Sequence, residues 1–146
     1  MIRVYTSSVI GAPAEAVWAL IRDFNGLPKW HPAIADSRIE NGWPADRVGC
    51  IRNFRLKEGG VIREQLLMLS DYDYQCAYSI LESPMGVSNY VATLKLTPVT
   101  DGNRTFAEWS AEFDAPPTQE RKLADDIGQG VFQGGFNALI GYFGHR

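Results

Sequence analysis

Residues 118–143 read TQERKLADDIGQGVFQGGFNALIGYF. No proline interrupts them, and Leu123, Ile127, Val131, Phe132, Phe136, Leu139, Ile140 and Phe143 recur at helical spacing. The spacing predicts one long C-terminal helix, set off from what precedes it by Ala115-Pro116-Pro117. The glycines at 128, 130, 134, 135 and 141 are unusual there. Each glycine inside a helix costs about 0.5–1 kcal/mol relative to alanine, so something must offset them. Gly130, Gly134, Ala138 and Gly141 make a stripe of small residues. Such a stripe either lets a helix lie close to a sheet or leaves room for something between the two.

Upstream of Pro116 the chain has a different period. IRVYTSSVI at 2–10 is β-rich and reads as a strand. In the next stretch Pro13 suits a first helical position, and Val17, Leu20, Ile21 and Phe24 put one apolar face on a short helix. Asn25-Gly26 stops that helix, and Leu27 to Trp30 allow one more short turn. Pro32 then biases His31 toward an extended backbone. Six further strand-like runs follow: 37–42, 48–57, 61–69, 75–83, 89–99 and 104–114. Short turns such as Glu58-Gly59-Gly60 and Asp101-Gly102-Asn103 join several of them, so the sheet is expected to be antiparallel. The order is one strand, two short helices, six strands and one long helix. The order predicts an α+β chain, one domain over 1–146, in which the C-terminal helix is laid across a curved antiparallel sheet of about seven strands. The space between helix and sheet is the natural place for a ligand.

Bulk properties narrow the function. The 146 residues carry a net charge of -3 and no Lys/Arg cluster, which argues against nucleic acid and anionic membrane as partners. No apolar run approaches the roughly 20 residues of a membrane helix, so no stable membrane insertion is expected. The N-terminus lacks a basic segment followed by an apolar one, so the expectation is a cytoplasmic protein. Cys50 and Cys76 both lie inside strand-like runs; their even number allows a disulfide, but in that setting two buried, reduced thiols are preferred. No His, Cys or carboxylate spacing matches a metal site, and neither a metal nor a cofactor is expected. His145, next to the last residue, is read as solvated. Oligomeric state stays open.

Alternation along the strands names the side chains that should face the helix. In 104–114 these are Ala107, Trp109, Ala111 and Phe113; in 89–97, Tyr90, Ala92, Leu94 and Leu96; in 75–82, Cys76, Tyr78 and Ile80. In the hairpin 48–69, Cys50, Phe54 and Leu56 share a face with Arg52, while Ile62, Leu66 and Met68 share one with Glu64. A three-residue loop Glu58–Gly60 would pair Leu56 with Ile62, set Phe54 opposite Glu64 and leave Arg52 on the diagonal. A two-residue Gly59-Gly60 turn would instead bring Arg55 to Glu64. The first register keeps the apolar faces together and is preferred.

An inward carboxylate must be paired or hydrated. Glu64 is therefore either half of a structural pair with Arg52 or a polar anchor for a ligand in an apolar cavity. His31 is read as a structural hydrogen-bonder or a contact at the cavity rim, and Trp30 as core or cavity wall. Phe54, Leu66, Tyr78, Tyr90, Trp109, Phe132 and Phe136 complete the set of expected ligand-contacting residues.

The element order and several motifs resemble the START-related helix-grip superfamily, in particular its polyketide cyclase/dehydrase and lipid transport group, SRPBCC. The resemblance covers essentially the whole chain. Its most specific part is Ala12-Pro13-Ala14-Glu15-Ala16-Val17-Trp18, then Asp23-Phe24, then Leu27-Pro28-Lys29-Trp30-His31-Pro32. Gly60-Val61-Ile62-Arg63-Glu64, Ser88-Asn89-Tyr90-Val91-Ala92 and Trp109-Ser110-Ala111 resemble its bacterial branch. The family implies a helix-grip fold around a deep apolar cavity. Its members bind lipids, plant hormones, polyketides or quinones, and a minority are enzymes. The expectation is binding, or transport, of a small hydrophobic molecule such as a lipid, polyketide-like or aromatic compound. Two alternatives stand beside it. One is a cofactor-independent enzyme of the cyclase or dehydratase type, with Glu64, Arg52 or His31 moving protons. The other is a protein-interaction module.

Overall fold

The computed structural model describes residues 1–144; His145, and with it the expectation made for it, lies outside the described residues. Seven strands, β1 (Ile2–Ile10), β2 (Ile34–Ile39), β3 (Ile51–Leu56), β4 (Val61–Ser70), β5 (Gln75–Glu82), β6 (Ser88–Val99) and β7 (Arg104–Asp114), form one sheet. Its order is β1-β7-β6-β5-β4-β3-β2, and every pairing is antiparallel. Each neighbour from β2 to β7 is also the neighbour in sequence, and short turns join them except between β2 and β3, where the connection runs over residues 40–50. The single long return joins β1 to β2 and carries the helical insert.

That insert is smaller than the sequence pattern implies. Helix α1 spans Ala14–Ile21 and ends before Asn25-Gly26; Leu27–Lys29 is one 3-10 turn. Trp18 donates its indole N–H to Asp71 Oδ1 at 2.8 Å, and Arg22 bonds the same carboxylate. Asp71 thus ties α1 to the β4–β5 turn. Strand β2 also begins earlier than expected. It starts at Ile34, and Glu40–Gly42 is a turn with Asn41 and Gly42 at positive φ, not strand.

The inner face follows the alternation on β5, β6 and β7: Cys76, Tyr78, Tyr90, Ala92, Leu94, Leu96, Ala107, Trp109, Ala111 and Phe113 are all buried. On β4 the pattern breaks. Register shifts between Leu66 and Met68, and beyond that bulge Leu69, in place of Met68, packs on the core. The extra residue flips the faces of everything after it. Cys50 and Cys76 are buried and free, and burial pushes the Cys76 thiol up to about 11.

The C-terminal helix has three parts. Helix α2 (Glu120–Asp125) runs into an eight-residue π-helical segment, Asp126–Gln133, which continues as α3 (Gly134–Phe143). No helix of the described residues is long and apolar enough to cross a membrane. The helix meets the sheet at Gly128 and Gly135. A β-carbon on Gly128 would lie 3.2 Å from Val4 Cγ1, and Thr6 donates to the Gly128 carbonyl at 3.2 Å. Gly130 is exposed with nothing near it, and Gly134 has only ordinary contact, so the expected stripe of small residues is not what brings helix and sheet together. Gly130→Ala is expected to raise stability by about 0.5–1 kcal/mol, the helical preference of alanine over glycine with no steric charge against it. Chemical denaturation of the two proteins measures the difference.

Candidate functional site

The corner Leu27–Ile34 is where the chain enters the sheet. The backbone N–H of His31 bonds Leu27 O at 2.8 Å, and that of Lys57 bonds Ala33 O at 2.9 Å, so the corner is fastened to the end of β3. Leu27, His31, Ala33 and Ile34 thereby form one wall of a cavity of roughly 100 Å³. Phe54 and Leu56 of β3, Ile62 and Glu64 of β4, Tyr78 and Ile80 of β5, Tyr90 of β6 and Trp109 of β7 supply the floor. Met85 comes from the β5–β6 loop, and Ile127 and Val131 from the π-helical segment.

Arg52 and Glu64 sit directly opposite one another on β3 and β4, not on a diagonal. The observed register pairs Phe54 with Ile62 and Arg55 with Val61. It differs by two residues from the preferred expectation, because Leu56 N–H bonds Gly60 O and the tight turn comes one residue earlier. A shift of two leaves the inward and outward faces unchanged, so both side chains still point in. Arg52 donates from Nε to Glu64 Oε1 at 2.8 Å and places its terminal nitrogen 2.6 Å from the same oxygen. A further N–H reaches the Phe24 carbonyl at 3.3 Å. The guanidinium carbon lies 4.0 Å from the Phe24 ring centre and 4.7 Å from that of Tyr78. Such stacking partly replaces the water the cation gives up.

Both charges are buried, each at 6% exposure, so the pair has left bulk water. Burial pushes the Glu64 carboxyl up, and the Arg52 charge beside it pulls part of the way back; the net displacement is upward. Burial likewise raises the phenols of Tyr78 and Tyr90, with the Glu64 charge adding to it, so both stay protonated. Trp109 donates its indole N–H to the Tyr78 oxygen at 3.0 Å.

His31 uses both ring nitrogens. Nε2 lies 3.0 Å from the Val131 carbonyl, and Nδ1 accepts the Ala33 N–H at 3.2 Å. Only a neutral imidazole with its proton on Nε2 satisfies both partners. The ring lines the cavity, but its polar atoms strap the corner to the helix. Burial lowers its pKa, with the nearby Arg52 charge acting the same way. A base whose folded pKa is depressed gives stability that is complete above the unfolded value, about 6.5, and is lost as pH falls below it. His31→Leu is therefore expected to cost about 1–3 kcal/mol at pH 7.5, for the bonds to Val131 and Ala33 that an aliphatic side chain cannot make. The gap from wild type should narrow as pH drops from 7 to 5, read by urea denaturation at each pH.

Four residues expected to contact a ligand do not line this cavity. Trp30 borders a smaller adjoining cavity of about 20 Å³, with Arg52, Tyr78 and Trp109. Leu66 is wholly buried in the core. Phe132 stacks on Trp109 with ring centres 4.6 Å apart, and Phe136 is tilted against the same ring at 5.8 Å. They hold the wall from behind. Conversely, the sequence reading did not place Ala33, Ile34, Met85, Ile127 or Val131 in the lining. Ile127 and Val131 carried a visible signal, since both lie on the apolar face of the helix.

A long helix laid across a seven-stranded antiparallel sheet, with a pocket between them, defines a helix-grip protein. The match to the family described as "Polyketide cyclase / dehydrase and lipid transport" covers residues 1–143, and the chain belongs to that family. It is similar to the protein XoxI from Bacillus cereus, with 31% identity and a TM-score of 0.87 over 98% of this chain and 96% of that one. A protein from Thermobifida fusca is 30% identical, with a TM-score of 0.88 over 99% and 94% of the two chains. Abscisic acid receptor PYL7 of Arabidopsis thaliana is 30% identical over 92 residues, 61% of this chain. The match spans 42% of the receptor's length.

Proposed function

We propose that this protein binds a small, mostly apolar molecule in the cavity between sheet and C-terminal helix. The observation that carries the reading is the cavity itself. Aliphatic and aromatic side chains from six strands, the corner and the helix converge on one spot without filling it. Close-packed interiors leave few voids larger than a water, and this one exceeds the roughly 10–15 Å³ a single water requires. It is also smaller than the roughly 300–1,000 Å³ of sites for drug-sized ligands. A compact compound of one or two rings suits it better than an acyl lipid.

The polar groups favour binding over proton transfer. Glu64 is held by Arg52, and His31 has both nitrogens committed to the backbone. Native mass spectrometry of gently purified protein, followed by solvent extraction, tests the proposal. A small-molecule adduct that leaves on extraction is the expected result. Ligand-free protein that also shows no saturable binding of small aromatic probes at the cavity would overturn it.

A further inference from the structure

The charge balance of the cavity restricts what it can hold. Among the described residues Arg52 is the only Lys or Arg in the lining, and its charge is already spent on Glu64 Oε1, the Phe24 carbonyl and two aromatic faces. The second carboxylate oxygen, Glu64 Oε2, makes no hydrogen bond among the described residues, and neither does the Tyr90 hydroxyl. Neither atom is sealed off: no buried side-chain oxygen or nitrogen among the described residues lacks both a partner and accessible surface. Both residues are at least nine-tenths buried and both line the cavity. An acceptor that wants a proton donor and a phenol that can donate one therefore face the same small apolar space.

We infer that the ligand is a neutral compound bearing a hydroxyl group, and that the cavity selects against carboxylates. A hydroxyl donates to Glu64 Oε2 and accepts from Tyr90 with one group, satisfying both atoms. A carboxylate cannot donate to Glu64. It also brings a second negative charge into a site where one cation already answers one anion, and a buried charge without a counter-charge is costly. A hydrocarbon fits the walls but leaves both polar atoms unmet. This inference rests on the cavity being a ligand site.

Three matched probes test it: 4-methylphenol, toluene and 4-methylbenzoate, titrated at neutral pH and followed by NMR shifts of the protein. The expected order of affinity is 4-methylphenol, then toluene, then 4-methylbenzoate, each step tenfold or more, the scale of one hydrogen bond to a charged group. Tyr90→Phe, which keeps the ring and the packing, should reduce the preference for the phenol over toluene. Equal binding of all three probes, or tighter binding of the benzoate, overturns the selectivity and leaves the cavity reading standing. Failure of all three to bind at the lining residues overturns the cavity reading and this inference with it.

Discussion

Arg52→Met should destabilise the protein by about 3–5 kcal/mol at neutral pH, the cost of leaving a buried charge without its partner. Methionine has nearly the volume of the arginine stem, so the loss is electrostatic and not a cavity. The pH dependence identifies the cause. Without the guanidinium, nothing opposes the burial that already displaces Glu64 upward. A carboxyl with a raised folded pKa favours the folded state below its unfolded value, about 4.3, and that advantage is lost as pH rises through the folded pKa. The deficit of Arg52→Met relative to wild type should therefore grow between pH 5 and pH 7. Adding Glu64→Leu should recover most of it, since an apolar pair replaces a buried ion pair at little net cost. Urea denaturation of the three proteins at both pH values measures each term. A deficit independent of pH, or a double variant no better than the single one, would contradict the buried-pair account.

Gly135→Ala should cost about 1–3 kcal/mol, where Gly130→Ala gains stability. The two positions lie five residues apart on one helix and differ only in what faces them. A β-carbon at Gly135 would stand 2.8 Å from Trp109 Cζ3 and 3.2 Å from both Trp30 Cζ3 and His31 Cδ2. Carbon atoms in good contact sit about 3.5–4.0 Å apart. None of the three rings can retreat: Trp109 is backed by Phe132, Trp30 lies against Trp109, and His31 is bonded at both nitrogens. Thermal melts of the two variants should move in opposite directions.

These two predictions also mark where the sequence could be read. The parity of a strand is a local property, so the inward aim of Arg52 and Glu64 followed from alternation alone. Their direct opposition did not, because it depends on whether the β3–β4 turn tightens at Gly59 or at Gly60, and both glycines accept positive φ. The bulge after Leu66 was illegible for a related reason: an extra residue in one strand is defined only against its partner. In the C-terminal helix the sequence pattern singles out Gly130 and Gly134, whereas Gly128 and Gly135 are the glycines that meet the sheet. Which glycine touches the sheet depends on the phase of the helix, and the π-helical segment changes that phase partway along. The cavity lining suffered most, because a wall is made by elements far apart in sequence. Phe132 and Phe136 have the more conspicuous side chains, yet Ile127 and Val131 reach the space.

The π-helical segment has a consequence for how such a cavity can change over time. A turn closed by i→i+5 bonds holds one more residue than an α-helical turn, which amounts to a single-residue insertion absorbed without breaking the helix. It spreads Ile127, Val131 and Phe132 over one broad inward face, two of them on the cavity and one behind Trp109. Losing one residue there would restore the tighter turn and remake that inward face, while α2 and α3 on either side kept nearly their present orientation. The sheet, the corner and the Arg52–Glu64 pair would stay where they are. A lineage could thus exchange the roof of its binding space in one genetic step while keeping the floor.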